Sequence, residues 1–195
     1  MSNIYTYDDF KFNNTAIIQS CTGTGKTTMV AKHFTKYIKQ TKTQHIKLLS
    51  IIDKITLSHQ HLKSFKDNDI NVLSYQNEFK KYNHFCVCIN SILQLDKLSN
   101  MELSQYFVYI DEINSFLQLT HNKTLDTNIR QIFNLLMRII KYAHKIIVSD
   151  NLITDSVFEL LKCRGDYKFI VNEYKKFQDI EAVRIRDQPL FLDML

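Results

Sequence analysis

The residues best suited to chemistry lie near the N-terminus, in a loop that holds two of the chain's three glycines. Glycine lets several backbone N–H groups point at one anion. Lys26 adds a positive charge, and the Thr27 hydroxyl suits Mg²⁺, which prefers oxygen ligands. The pattern predicts a site for the phosphates of a nucleoside triphosphate, most simply ATP with Mg²⁺. The predicted nucleotide-binding residues are Ser20, Cys21, Thr22, Gly23, Thr24, Gly25, Lys26, Thr27 and Thr28.

The surroundings of this loop favour phosphate binding over its alternative, a glycine- and threonine-rich turn with a solvated lysine. The apolar run at 15–19 predicts a buried strand before the loop. Apolar residues four apart at 30, 34 and 38 predict a helix over 26–39, and a helix N-terminus attracts anions. The usual pattern begins with glycine. Ser20 takes that position here, which is a mild departure because small residues can serve there.

Two adjacent acids, Asp111 and Glu112, follow an aromatic and β-branched run at 106–110 that predicts a strand. Beside a phosphate loop, the first acid of such a pair holds Mg²⁺. The second orients or deprotonates the attacking water. The alternative is a helix N-terminus whose dipole favours acids. We predict Lys26, Asp111 and Glu112 as catalytic residues, with Thr27 and Asp111 as the Mg²⁺ ligands.

Apolar runs alternate with helical patterns along the rest of the chain. Such strands, apolar throughout, indicate a parallel sheet covered on both faces, which is a three-layer α/β fold. Ligands in such sheets bind beyond the carboxyl ends of the strands, so one pocket should gather the loop, the acid pair, Ser149 and Asp150. The predicted strands are 15–19, 46–52, 70–73, 85–89, 106–110, 145–149 and 167–171. The predicted helices are 26–39, 54–65, 125–142 with Asp126 as a cap, and 151–161.

Size and composition restrict the class of protein. The 195 residues, 45% of them hydrophobic, are enough for one domain. Neither a bilayer-spanning apolar run nor a secretory signal is visible, so we expect a soluble intracellular protein without a membrane partner. The net charge of +5 permits a polyanionic partner. The cysteines lack paired Cys-x-x-Cys spacing. His84, Cys86 and Cys88 would share one face of a strand and are interpreted as core residues rather than metal ligands.

Five stretches together resemble the first motor domain of superfamily 2 helicases, and most of all the replication origin-binding proteins of herpesviruses and giant DNA viruses. They are 20–28, 49–58, 88–92, 109–114 and 148–150. The resemblance covers about residues 12–190 and implies a RecA-like P-loop domain with a mainly parallel sheet. It also implies ATP-driven movement on single-stranded or origin DNA during viral DNA replication, in the host cytoplasm or nucleus.

The resemblance assigns further roles by position. Ser50, Lys54 and Ser91 would face DNA, whereas Ser149 and Asp150 would couple the ATP state to the grip on DNA. Alternatives remain open. Ser50 and Ser91 could simply end strands, Lys54 could be solvated, and Asp150 could cap the helix that begins near residue 151.

Two groups of aromatic residues lie outside these motifs. His59 and His61 are predicted on a helix surface, because positions i and i+2 do not share a helical face. Tyr5, Tyr7 and Phe10 could stack on the adenine base, and the alternatives are core packing or disorder.

We divide the chain into an N-terminal extension at 1–11, the RecA-like domain at 12–176 and a C-terminal segment at 177–195. The resemblance implies a second motor domain whose arginines stabilise charge on the transferring phosphoryl group, and replisome proteins are possible partners. Because the chain stops at Leu195, we expect either a fragment of a longer helicase or a short form that hydrolyses ATP poorly.

Two other functions stay open. A nucleotide-dependent module could bind DNA or a replisome partner with negligible turnover. A nucleoside or nucleotide kinase would have a similar length, but it usually carries an arginine-rich lid. Arginine occurs here only at 130, 138, 164, 184 and 186.

Overall fold

The computed structural model describes residues 13–43, 45–74, 83–121 and 127–173. Within these ranges, seven strands form one sheet in the order β3-β4-β2-β5-β6-β1-β7, and each strand pairing is parallel. The strands are β1 Thr15–Ser20, β2 Lys47–Ile52, β3 Leu73–Ser74, β4 His84–Cys88, β5 Tyr106–Asp111, β6 Lys145–Asp150 and β7 Lys168–Asn172.

Helices connect the strands and cover both faces of the sheet. They are α1 Lys26–Thr41, α2 Ile55–Lys66, α3 Asn100–Leu103, α4 Ile113–His121, α5 Thr127–Tyr142 and α6 Asp155–Leu161, with 3₁₀ helices at Ile89–Lys97 and Lys162–Arg164. Among the described helices, none is long and apolar enough to cross a membrane.

The core is split by the sheet into two apolar clusters. Successive residues of a strand point to opposite faces, so Ile17 of β1 joins one cluster while Ala16 and Ile18 join the other. Helices α1 and α2 pack in the cluster of Ala16 and Ile18, whereas α3 to α6 pack in the cluster of Ile17. The predicted three-layer α/β fold with a parallel sheet is confirmed.

Most predicted elements agree with the structure to within about two residues, and the differences have physical reasons. The short strand predicted at 70–73 is mostly coil, because, of these four residues, Leu73 alone pairs with β4, followed by Ser74. The helix predicted at 151–161 begins at Asp155. Helix α4 was not predicted, since its start is stabilised by Asp150 of a distant strand. Asp126, Tyr5, Tyr7 and Phe10 lie outside the described residues.

The cysteines of β4 are core residues, as predicted. Cys86 and Cys88 are buried in one apolar cluster, and His84 accepts a hydrogen bond from the backbone N–H of Leu48 at 3.0 Å. Across the described ranges, no three His, Cys, Asp or Glu side chains are grouped to hold a metal ion.

A buried histidine on α1 makes stability depend on pH. Burial, followed by the charges of Lys145 and Lys36, lowers the pKa of His33 from its usual 6.5 to about 3. Between these values the unfolded chain binds a proton that the folded chain does not, so stability is complete above pH 6.5 and declines as the pH falls. One such proton corresponds to a slope of about 1.4 kcal/mol per pH unit.

We therefore expect the free energy of unfolding to depend less steeply on pH in His33→Leu than in the wild type, by up to this slope. Urea denaturation at pH 7, 6 and 5 measures it. His59→Gln is the matched control, because His59 is exposed, and it should keep the wild-type slope. An unchanged pH slope in His33→Leu would contradict the assignment.

Candidate active site

The loop at residues 20–27, the phosphate loop, joins the end of β1 to the start of α1. Gly23 and Gly25 have φ angles of 76° and 84°, which lie in the left-handed region that glycine adopts without strain. Gly25 is the N-cap of α1. The Thr24 hydroxyl donates to the carbonyl of Cys21 at 2.8 Å. The loop is therefore closed on itself, with the N-terminus of a 16-residue helix directly behind it.

The lysine of the phosphate loop crosses the loop. Lys26 Nζ donates to the carbonyls of Ser20 at 2.9 Å and Cys21 at 3.4 Å. The ammonium group and the helix N-terminus thus create positive potential at one place, which favours an anion.

Ser20, at the position usually held by glycine, has a structural task of its own. Its side chain is buried, it lies 2.6 Å from the Thr24 hydroxyl, and it accepts a hydrogen bond from Asn172 Nδ2 at 2.8 Å. Asn172 ends β7. The serine hydroxyl therefore ties the phosphate loop to the edge strand, a contact that the sequence did not reveal.

The acid pair lies at the carboxyl end of β5, on the same side of the parallel sheet as the phosphate loop. Asp111 is the last residue of the strand and is buried. Glu112 has a φ of 57°, a left-handed conformation that costs a non-glycine residue about 1–3 kcal/mol. Strain of this kind is typical of functional sites. The two carboxylates have different surroundings. Asp111 is buried, whereas Glu112 is half-buried and lines a cavity.

His61 of α2 contacts both the acid pair and the phosphate loop. Its Nε2 lies 3.1 Å from Asp111 Oδ2 and 3.4 Å from the Thr27 hydroxyl. Its Nδ1 lies 2.9 Å from the Ser50 hydroxyl. The prediction that His61 lies on a helix surface is wrong, because only 2% of the residue is exposed.

The surroundings shift the pKa values of the two acids in opposite directions. Burial alone raises the pKa of Asp111, but the hydrogen bond from His61, then the Ser149 hydroxyl and the charge of Lys26, together hold that pKa below its usual value. Burial and then the charge of Asp111 raise the pKa of Glu112, although Lys54 opposes them. One acid is thus suited to stay charged, and the other to accept a proton.

Ser149 and Asp150 end β6 beside the acid pair. The Ser149 hydroxyl donates to Asp111 Oδ1 at 2.6 Å. Asp150 accepts from the backbone N–H groups of Asn114 at 2.8 Å and Asn151 at 2.7 Å. The alternative, that Asp150 caps a helix beginning near residue 151, is wrong, because that helix begins at Asp155. Asp150 caps the first turn of α4 and thereby joins β6 to the segment that follows the acid pair.

A cavity of about 490 Å³ opens between these elements. It is lined by Thr22, Lys26, Glu112, Asn114, Asp150 and Leu152, among others. The predicted pocket is found in part: the phosphate loop, Glu112 and Asp150 line this cavity, whereas Asp111 and Ser149 are buried next to these residues and do not line it.

Comparison with known proteins identifies the family. The model of the family "Type III restriction enzyme, res subunit" matches residues 6–188, which is nearly the whole chain. This chain belongs to that family. It is therefore a superfamily 2 helicase-family domain, as the resemblance implied.

The helicase-family domain also resembles a longer viral protein. It is 30% identical over 197 residues to the "Putative replication origin-binding protein" of Acanthamoeba polyphaga mimivirus, covering 89% of this chain. The chain spans 24% of the length of that relative.

Solved structures share the fold of the helicase-family domain. A hypothetical ATP-dependent RNA helicase from Sulfolobus tokodaii has a TM-score of 0.60 at 16% identity, covering 88% of this chain and 54% of that one. The SWI2/SNF2 ATPase core of Sulfolobus solfataricus, solved with double-stranded DNA, has a TM-score of 0.53 at 12% identity, covering 77% and 31%. At these identities the likeness concerns the RecA-like fold.

The three residues predicted to face DNA have different surroundings. Lys54 is exposed and directly precedes α2, and Ser91 is half-buried in the 3₁₀ helix after β4. Ser50 is fully buried and bonded to His61. Its prediction as a DNA-facing residue disagrees with this burial, since its position inside β2 directs the hydroxyl into the layer between the sheet and α2.

The sequence around His61 does contain a local signal for its burial. The buried residues of α2 are Ser58, His61 and Phe65, three and four residues apart. That spacing puts them on one helical face. Comparing His61 with Phe65 instead of His59 would have placed it toward the sheet.

Proposed function

We propose that this chain is the Mg²⁺-ATP-binding domain of an origin-binding-protein-type DNA helicase, and that it couples ATP hydrolysis to DNA binding during viral DNA replication. The observation that carries the proposal is the meeting of the phosphate loop and Glu112 at one cavity, with Lys26 and Glu112 both in its lining. The helicase-family membership supports hydrolysis as the use of that cavity.

The donor atoms of the site fit Mg²⁺ bound with the nucleotide. The Thr27 hydroxyl and the Asp111 carboxylate are oxygen ligands, and both contact the same nitrogen of His61, so they border one small space. Hard oxygen donors suit Mg²⁺. When bound, the ion would neutralise charge on the phosphates. Lys26 would hold the β- and γ-phosphates, and Glu112 would orient the attacking water and take its proton.

The residues proposed to couple the nucleotide to DNA lie after the carboxyl ends of neighbouring strands of the sheet. Lys54 is exposed and near enough to Glu112 to affect its pKa, and Ser91 follows the neighbouring strand β4. A group that contacts DNA there would sense changes at the acid pair. Ser149 and Asp150 connect that pair to α4 and β6, which suits them to pass on the nucleotide state.

Support for DNA as the partner comes from two proteins. The mimivirus relative is named as an origin-binding protein, and the SWI2/SNF2 core was solved with double-stranded DNA. We extend this to action at viral replication sites inside the host cell, alongside a second motor domain and replisome proteins.

The test is ATP hydrolysis by the purified chain with no polyanion, with single-stranded DNA and with heparin. We expect turnover that rises with DNA and not with heparin, because the coupling requires contacts made by DNA and not charge alone. ATP binding without turnover in every condition would support a nucleotide-dependent binding module instead. Transfer of phosphate to a nucleoside would support a kinase and contradict both.

A further inference from the structure

One buried imidazole connects three separate elements of the site. His61 of α2 contacts the Ser50 hydroxyl of β2 at 2.9 Å, Asp111 Oδ2 of β5 at 3.1 Å and the Thr27 hydroxyl of α1 at 3.4 Å. The ring lies parallel to that of Tyr109, with 5.5 Å between centroids and 13° between planes. Packing and hydrogen bonds together therefore fix the orientation of the ring.

The chemistry of the partners sets the direction of these hydrogen bonds. An ionised carboxylate only accepts, so Nε2–H of His61 donates to Asp111. In the neutral ring the other nitrogen is an acceptor, and the hydroxyl of Ser50 is its donor. Asp111 thus requires the N–H at Nε2, and the Ser50 hydroxyl holds the ring in that form by bonding its other nitrogen.

The result is a carboxylate whose two oxygens are held by different residues. His61 holds Oδ2, and the Ser149 hydroxyl holds Oδ1 at 2.6 Å. Hydrogen bonds that orient a metal-binding side chain strengthen metal binding, and their loss typically weakens it about 10–100-fold.

We propose that His61 is a positioning residue that orients Asp111 and Thr27 for the divalent cation of the nucleotide, and that Ser50 acts through His61. This proposal rests on the proposed function, because it concerns the same site. It gives Ser50 a role in metal binding in place of DNA contact.

The test measures Mn²⁺, an ion visible by electron paramagnetic resonance, binding to the full chain saturated with ADP. His61→Ala should weaken Mn²⁺ binding about 10–100-fold, while ADP binding measured in EDTA stays at the wild-type level. His61→Gln should restore most of the affinity, because its amide offers an N–H donor at similar reach. His59→Ala, a change of the same type at an exposed position of α2, should have no effect.

Three results would overturn the proposal. These are wild-type Mn²⁺ affinity in His61→Ala, equal losses in His61→Ala and His61→Gln, or an equal loss of ADP binding in EDTA, which would indicate a general defect of the site. A wild-type chain that binds no ADP would instead contradict the proposed function itself, so the two failures are distinguishable.

The role of Ser50 has its own test. Ser50→Ala should weaken Mn²⁺ binding less than His61→Ala does, and should add nothing in the double variant, because both changes break the same chain of contacts. Fully additive effects would show that Ser50 acts independently of His61.

Discussion

Lys26→Ala is expected to bind ATP about 10–100-fold more weakly than the wild type, since charged hydrogen bonds of this kind contribute about 1.5–3 kcal/mol. Its hydrolysis rate should fall roughly 10²–10³-fold, the usual cost of removing one group that stabilises developing charge. Lys26 Nζ lies at the phosphate loop, 2.9 Å from the Ser20 carbonyl, so the change removes a positive charge from the place where the phosphates are proposed to bind. Equilibrium titration with a fluorescent ATP analogue and a steady-state phosphate assay measure the two effects.

Lys32→Ala is the matched control for this change. Lys32 is an exposed lysine on the same helix α1, and its removal lowers the net charge equally. It should bind and hydrolyse ATP like the wild type. Equal losses in the two variants would mean that overall charge, and not the position of Lys26, supports binding.

Glu112→Gln is expected to lose turnover while keeping ATP binding. General-base assistance contributes about 10²–10⁴-fold to rate, so the hydrolysis rate should fall by at least about 100-fold. The amide has the shape of the carboxylate but cannot take a proton. The raised pKa of Glu112, caused first by burial and then by Asp111, makes this carboxylate a better proton acceptor than an ordinary surface glutamate. Single-turnover hydrolysis and nucleotide titration separate the two steps.

Glu159→Gln controls for the loss of one negative charge, because Glu159 is exposed on α6 and pairs only at the surface with Lys162. It should leave turnover unchanged. Full turnover in Glu112→Gln would exclude Glu112 as the base and leave water positioning to another group. A loss of binding in Glu112→Gln would show instead that the left-handed turn at Glu112 needs the carboxylate itself.

The sequence predicted the fold well because strands, helices and glycine turns are each determined by residues close together in the chain. Strands such as 106–110 are apolar on both faces, which is typical of a parallel sheet covered on both sides. The phosphate loop was recognisable because glycine is required where φ is positive, as it is at Gly23 and Gly25. Helix α4 was missed because a residue 36 positions away, Asp150, caps it.

The chain's sequence by itself determined the phosphate loop, the acid pair and their place at the carboxyl ends of strands, because the ends of strands follow from short local patterns. Only the tertiary structure decided how Asp111 is held. Its partners, Ser149, His61 and Lys26, come from three different elements, and His61 reaches it because α2 packs its Ser58 and Phe65 face against the sheet. Contacts between residues 50 positions apart, as for His61 and Asp111, depend on how helices and strands pack, which a single sequence does not show.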